Sequence, residues 1–249
     1  MARLAPETEK EGMSFLEHLD ELRSRLFRSA IAYVVLLGLS WRFSDRVLKF
    51  LMVPFERHIG SRGDLVFLTP TEPFFVYLKA SAILALFVAM PYLLWQMWSF
   101  VSPGLHPHER RLVVPFLLFG TGFFVAGAAF AYYVALPLSI AWLLSLGSEF
   151  RAAITLQAAF GFESRIVLAM GLVFELPIII FFLARIGLVT PQFLWRHLRH
   201  AIVLIAILAA VITPSGDMLT MCVFAGPMVL LYLLGVLVAQ FFGKPRRAP

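Results

Sequence analysis

Long apolar runs divided by short polar segments leave this chain few ways to fold. Such runs must satisfy their backbone polar groups within each segment, and in hydrocarbon only helices or closed barrels do so. The runs carry few alternating polar residues, which favours helices over a barrel. Composition agrees: of 249 residues, 60% are hydrophobic and 14% charged, with a mean hydropathy of +0.85. A soluble domain is nearer half apolar and about a quarter charged. The expected fold is an all-α integral membrane protein with six transmembrane helices. The single cysteine, Cys222, excludes an internal disulfide framework and is expected to be a small core hydrophobe. The net charge of +6 needs no nucleic-acid partner, because Lys and Arg that flank spans and set topology account for it. The polar start of the chain predicts no cleavable signal peptide.

Residues 1–12 read as a mobile tail, 13–242 as a single membrane domain and 243–249 as a basic C-terminal tail. Ser14 and Glu17 form a capping box that opens a helix. Phe15, Leu19, Leu22 and Leu26 make one apolar stripe at helical spacing, with Glu17, Asp20 and Glu21 off it. This predicts an N-terminal amphipathic helix at the membrane surface, leading into a first span at 26–43. The polar connection 43–72 holds a short interfacial helix, 45–52, that stops before Pro54. The second span is 73–100, kinked at Pro91. The third, 112–146, is long for a hydrocarbon core that needs about 20 residues. Its Gly122/Ala126 and Gly127/Ala131 pairs suit close helix contact. The fourth is 161–186. The fifth, 201–212, gives only ~18 Å of helix, so it borrows length from 193–200 or the bilayer thins beside it. The sixth, 218–242, is grouped with the fifth as a short span. Six spans put both termini on one side. With that side inside, the inner segments hold 13 of the 21 Lys and Arg, which favours an N-in/C-in cytoplasmic arrangement.

The stretch from Trp95 to Pro115 interrupts this pattern with dense polar chemistry. Pro103, Gly104 and Pro107 forbid a continuous helix, and Glu109 sits among His106, His108, Arg110 and Arg111. With the acidic patch of Glu17, Asp20 and Glu21, this loop reads as a docking site for a cationic peptide. Each acid also has a plainer account. Glu21 can pair with Arg25 at i+4, worth a few tenths of a kcal/mol, and Glu109 suits the first turn of a helix. Glu175 lies midway along the fourth span before Pro177, and an ionisable group at that depth is a functional-site candidate by default. The alternative is a carboxyl hydrogen-bonded to a neighbouring helix or to a carbonyl freed by Pro177. Lys79 and a Glu163/Arg165 pair near the outer ends of spans fit snorkelling side chains. The six histidines make no convincing metal set, and hydrolase and phosphate-loop motifs are missing. No catalytic residue, metal or cofactor is expected.

Several segments resemble one family. His18-Leu19-Asp20-Glu21-Leu22-Arg23-Ser24-Arg25, Trp98-Ser99-Phe100-Val101-Ser102-Pro103-Gly104-Leu105 and His108-Glu109-Arg110-Arg111 look like signatures of TatC, the receptor subunit of the twin-arginine protein translocase. So do Val53-Pro54, Phe174-Glu175-Leu176-Pro177, and Thr213-Pro214 with Asp217. The resemblance spans 13–242. It implies a multi-pass protein of the bacterial cytoplasmic (inner) membrane that binds twin-arginine signal peptides of folded cargo. It implies TatA- and TatB-type partners, contact with membrane lipids, an oligomeric complex, and transport driven by the protonmotive force. The signal-binding positions it implies are Glu21, Arg23, Phe100, Pro103, Leu105 and Glu109. Pro54, Glu175, Thr213 and Asp217 are implied as further functional positions. The turn Thr213-Pro214-Ser215-Gly216-Asp217 is one residue longer than the Thr-Pro-Pro-Asp turn of some members, and a family polar position early in the sixth span falls near Met221.

The residue chemistry fits that role. Two consecutive arginines present two planar five-donor forks, which carboxylates accept bidentately and Lys cannot mimic. Arg23, Arg110 and Arg111 are local competitors for the same acids. The alternative function is a proton-coupled secondary transporter using Glu175. A single deep acid and no inverted repeat count against it, and solute uptake by liposomes holding this chain alone would separate the two. A ligand-free assembly factor would tolerate Glu21→Ala and Glu109→Ala.

Overall fold

The computed structural model describes residues 15–60, 63–101, 113–213 and 217–242. The two proposed tails, Ser14, Pro103, Leu105 and Glu109 lie outside these residues.

α1 (Phe15–Ser40) is one unbroken helix, so the expected surface helix and first span are a single rod. Its polar residues His18, Glu21, Arg25 and Ser29 are half-buried. Leu19, Leu22 and Leu26 are 44%, 43% and 68% exposed. In water this arrangement would be inside out. In lipid the leucine stripe meets hydrocarbon, and the polar side finds partners in the bundle. α1 packs along α3 (Glu72–Val101), where the Tyr33 hydroxyl donates to the Ala82 carbonyl at 3.2 Å.

A 3-10 turn, Trp41–Phe43, leads into α2 (Ser44–Ile59). The expected stop before Pro54 does not occur, and the helix runs through it. Leu48, Leu51, Met52, Phe55 and Ile59 are all buried, at the spacing of one helix face. Proline removes the N–H that would bond the Phe50 carbonyl. The Tyr132 hydroxyl donates to that carbonyl instead, at 2.7 Å.

The third apolar run is α4 (Val113–Phe130), a π turn (Ala131–Ala135) and α5 (Leu136–Leu146). In the widened turn the Leu136 N–H bonds the Ala131 carbonyl. Pro137, which follows at once and has no N–H, accounts for the irregular ladder there. Of the two small-residue pairs, Gly127 marks a close approach: a Cβ there would lie 2.5 Å from the Met170 carbonyl of α6. A Cβ on Gly122 would meet nothing within 4 Å.

Two connections at the far end from the α1 N-terminus pair as short parallel strands, β1 (Gly63–Val66) and β2 (Ala152–Thr155). The register sets Gly63 against Ala152 and Val66 against Thr155. Thr155 also caps α6 (Leu156–Phe174), its hydroxyl accepting from the Ala158 N–H. The helix breaks at Glu175 and resumes as α7 (Leu176–Arg185), because Pro177 cannot bond the Val173 carbonyl.

α8 (Pro191–Arg196) precedes α9 (Leu198–Ile212), whose 15 residues give ~22 Å of helix. α9 thus borrows only three residues from the preceding loop. α10 (Met218–Phe242) has 25 residues, ~37 Å, so the sixth run is not short. Among the described residues, five helical stretches are long and apolar enough to cross a membrane, and α9 falls below that length. Cys222 is exposed on α10 rather than buried. In a membrane helix an outward position suits a small hydrophobe as well as a core position does.

Two large apolar clusters hold the bundle together. One joins α2, α3, α6, α9 and α10 around Phe160, Met170, Phe224 and Met228. The other, nearer the α1 N-terminus, is built on Leu94, Trp98, Phe116, Phe124 and Phe182.

Candidate functional site

The start of α1 and the end of α3 meet because the two helices pack along each other. His18 stacks on Phe100, ring centroids 4.3 Å apart and 16° from parallel. Three residues on, Glu21 accepts from Arg25 through both Nε, at 3.0 Å, and Nη2. Arg25 Nη1 donates to Gln96 Oε1 at 3.3 Å, and Gln96 Nε2 donates to the Tyr92 hydroxyl at 2.6 Å. The i+4 pairing of Glu21 with Arg25 is therefore formed. The second oxygen, Oε2, is enclosed without a hydrogen bond among the described residues, and His18 Nδ1 is 3.9 Å away.

Glu21 and Phe100 are thus brought to one end of the bundle, bridged by His18. Arg23 is not part of this contact. It is exposed, with its guanidinium 5.7 Å from the Phe27 ring on the outward side of α1. Gln96 was not singled out from the sequence. Its signal was a lone amide within the apolar run of α3, one helical turn from Tyr92; it is 4% exposed and hydrogen-bonded on both sides.

Glu175 sits at the break between α6 and α7, 5% exposed. Neither carboxyl oxygen has a hydrogen-bond partner among the described residues. Its Oε2 lies 3.6 Å from where a Gly120 Cβ would stand, and Leu94 Cδ1 is 2.7 Å from the same point. The carboxyl therefore occupies space that glycine leaves open on α4, beside α3.

At the far end, Thr213 is buried, its hydroxyl without a partner among the described residues. Asp217 caps α10: its Oδ1 accepts from the Thr220 N–H at 2.7 Å and the Thr220 hydroxyl at 2.8 Å. The longer turn still delivers this acid to a helix start, where a carboxylate is favoured. Pro54 lies in α2 beside the Phe50–Tyr132 contact, whose rings stack at 4.6 Å.

Glu163 departs from the expectation. It is fully buried, with both oxygens unpartnered among the described residues. Arg165 is exposed, and no ion pair joins them among the described residues. Residues two apart on a helix do not face one another, so spacing alone argued against that pair.

The TatC family model, described as Sec-independent protein translocase protein (TatC), matches residues 17–227. A protein of that name from Koribacter versatilis is 42% identical over 96% of this chain and 89% of its own length. One from Aquifex aeolicus is 33% identical over 94% of this chain and 98% of its own. A solved structure titled as the twin arginine translocase receptor TatC, in DDM, matches with a TM-score of 0.80. It is 34% identical and covers 92% of this chain and 100% of its own.

Proposed function

Because the chain belongs to the TatC family of Sec-independent protein translocase proteins, we propose that it is the receptor and core subunit of a twin-arginine translocase. It spans the bacterial inner membrane six times with both termini in the cytoplasm. It binds the twin-arginine signal peptides of folded cargo at the α1 N-terminal end. It organises TatA- and TatB-type subunits in an oligomeric complex driven by the protonmotive force. It acts by recognition and assembly, without a catalytic group of its own.

The observation that carries this reading is the setting of Glu21. Its carboxylate is held beside an aromatic stack by a single intrahelical arginine. An i,i+4 pair that is partly exposed is worth about 0.3–0.5 kcal/mol. A charge-assisted bond to an incoming guanidinium is worth about 1.5–3 kcal/mol. A ligand arginine competes with Arg25 for this carboxylate, and Gln96 can hold Arg25 once it is displaced. Phe100 offers an apolar face for the residues that follow the arginine pair. Glu109, with Pro103 and Leu105, supplies the second carboxylate and the shape of the adjoining loop. Glu175, Pro54, Thr213 and Asp217 act in the translocation step rather than in the first recognition. α9, at ~22 Å, thins the adjacent bilayer, which lowers the barrier to a bulky cargo.

Equilibrium binding of a labelled Arg-Arg signal peptide to the purified full chain tests the reading. Glu21→Ala is expected to weaken binding by about ten- to hundredfold, the equivalent of one charge-assisted interaction. Arg-Arg→Lys-Lys in the peptide should cost a similar factor. Unchanged affinity in both would remove the site.

A further inference from the structure

A polar recess opens at the far end of the bundle, between the start of α3, the start of α6 and the β1–β2 pair. Glu72, Lys79, Gln157 and Arg165 line it, with Leu68 and Phe162 at its apolar margin. Glu72 and Lys79 are seven residues apart on α3, so they share one face, about 10 Å apart along the axis. Glu72 is 8% exposed, and its Oε2 is enclosed without a hydrogen bond among the described residues. Lys79 and Arg165 are both exposed and form no ion pair among the described residues. The start of α6, whose Ala158 N–H is taken by the Thr155 cap, adds its dipole to the recess.

This combination is unusual for a span end. A snorkelling Lys or Arg needs no buried acid. A carboxylate at the first turn of α3 gains from the dipole, but that does not require enclosing one of its oxygens without a donor. Two cations and the Glu72 carboxylate around one recess, with its Oε1 not enclosed, match a ligand that carries an anion and a hydrogen-bonding ammonium on the same small body. The recess lies where spans end, and Leu68 at its margin is 74% exposed. That apolar margin suits acyl chains.

We propose that this recess binds the headgroup of an aminophospholipid, with the phosphate held by Lys79 and Arg165 and the primary ammonium by the buried carboxylate of Glu72. A choline headgroup has no N–H to give Glu72, and a glycerol headgroup has no cation. The site therefore discriminates among headgroups of the same outer leaflet. Occupancy would tie the β1–β2 connection to the starts of α3 and α6.

Native mass spectrometry of the purified full chain, offered dioleoyl lipids with ethanolamine, choline or glycerol headgroups in equal amounts, tests this. The ethanolamine lipid should be retained about tenfold over choline, as expected for one charge-assisted bond. Glu72→Gln should bring ethanolamine down to the choline level without changing choline. The double variant Lys79→Gln/Arg165→Gln should lower all three. Equal retention across headgroups, or an ethanolamine preference indifferent to Glu72→Gln, would overturn the proposal. A glycerol-lipid preference abolished only by the double variant would also overturn it, by making the recess an anion site. Should Glu72→Gln fail to fold, Glu72→Asp keeps the charge but shortens its reach, and must still lower the ethanolamine preference.

Discussion

Replacing Tyr132 by Phe removes one hydroxyl and little else. The ring stays stacked on Phe50, 4.6 Å away and 10° from parallel, so packing is retained. What is lost is the 2.7 Å hydrogen bond to the Phe50 carbonyl, whose helical donor Pro54 cannot supply. Losing this part-buried hydrogen bond costs about 1 kcal/mol. At roughly 2–4 °C per kcal/mol for a chain of this size, Tyr132→Phe should lower the melting temperature by several degrees in detergent. The diagnostic arm is the double variant. In a Pro54→Ala background, the backbone N–H restored at position 54 can bond the Phe50 carbonyl, so Tyr132→Phe should cost about 0.5–1 kcal/mol less there. The assay is a double-mutant cycle of equilibrium unfolding in mixed micelles. If the two changes are additive, the tyrosine is not compensating for the proline, and another reason is needed for α2 continuing past Pro54.

Two further perturbations test the packing. Gly127→Ala places a methyl 2.5 Å from the Met170 carbonyl and should destabilise the α4–α6 contact by about 1–3 kcal/mol. Gly122→Ala, with open space around it, should be neutral or stabilising by up to about 1 kcal/mol; the same sign for both on thermal unfolding would refute the close-approach assignment. Glu163→Met replaces a buried carboxyl that lacks hydrogen bonds among the described residues with an apolar side chain of similar length, and should raise stability by about 1–3 kcal/mol. A lower melting temperature would mean that Glu163 has a partner in the assembled protein.

Hydropathy made most of the helices legible, since every apolar run became one or more helices. What it could not show was direction. The Leu19, Leu22, Leu26 stripe was readable, but only packing reveals that it faces outward while His18, Glu21 and Arg25 face α3. The continuation of α2 past Pro54 was masked because its compensation comes from Tyr132, 82 residues away in sequence from Phe50. Glu163 was misread because charge type suggested a pair, while helical geometry separates it from Arg165. The π turn and the β1–β2 pairing also depend on tertiary context. The candidate site was half legible: the segments carrying Glu21 and Phe100 come to one end of the bundle, linked through His18, Arg23 stands apart, and Gln96 emerged only from its hydrogen bonds.

The most direct test of the central claim is photo-crosslinking in membranes. A photoreactive residue is placed next to the arginine pair of a signal peptide and, in parallel, next to a Lys-Lys pair. Labelling is expected at the start of α1 and the end of α3, requiring the arginine pair and fading in Glu21→Ala and in Glu109→Ala. Equal labelling by both peptides, unaffected by either substitution, would contradict the receptor assignment and return weight to a transporter or an assembly factor.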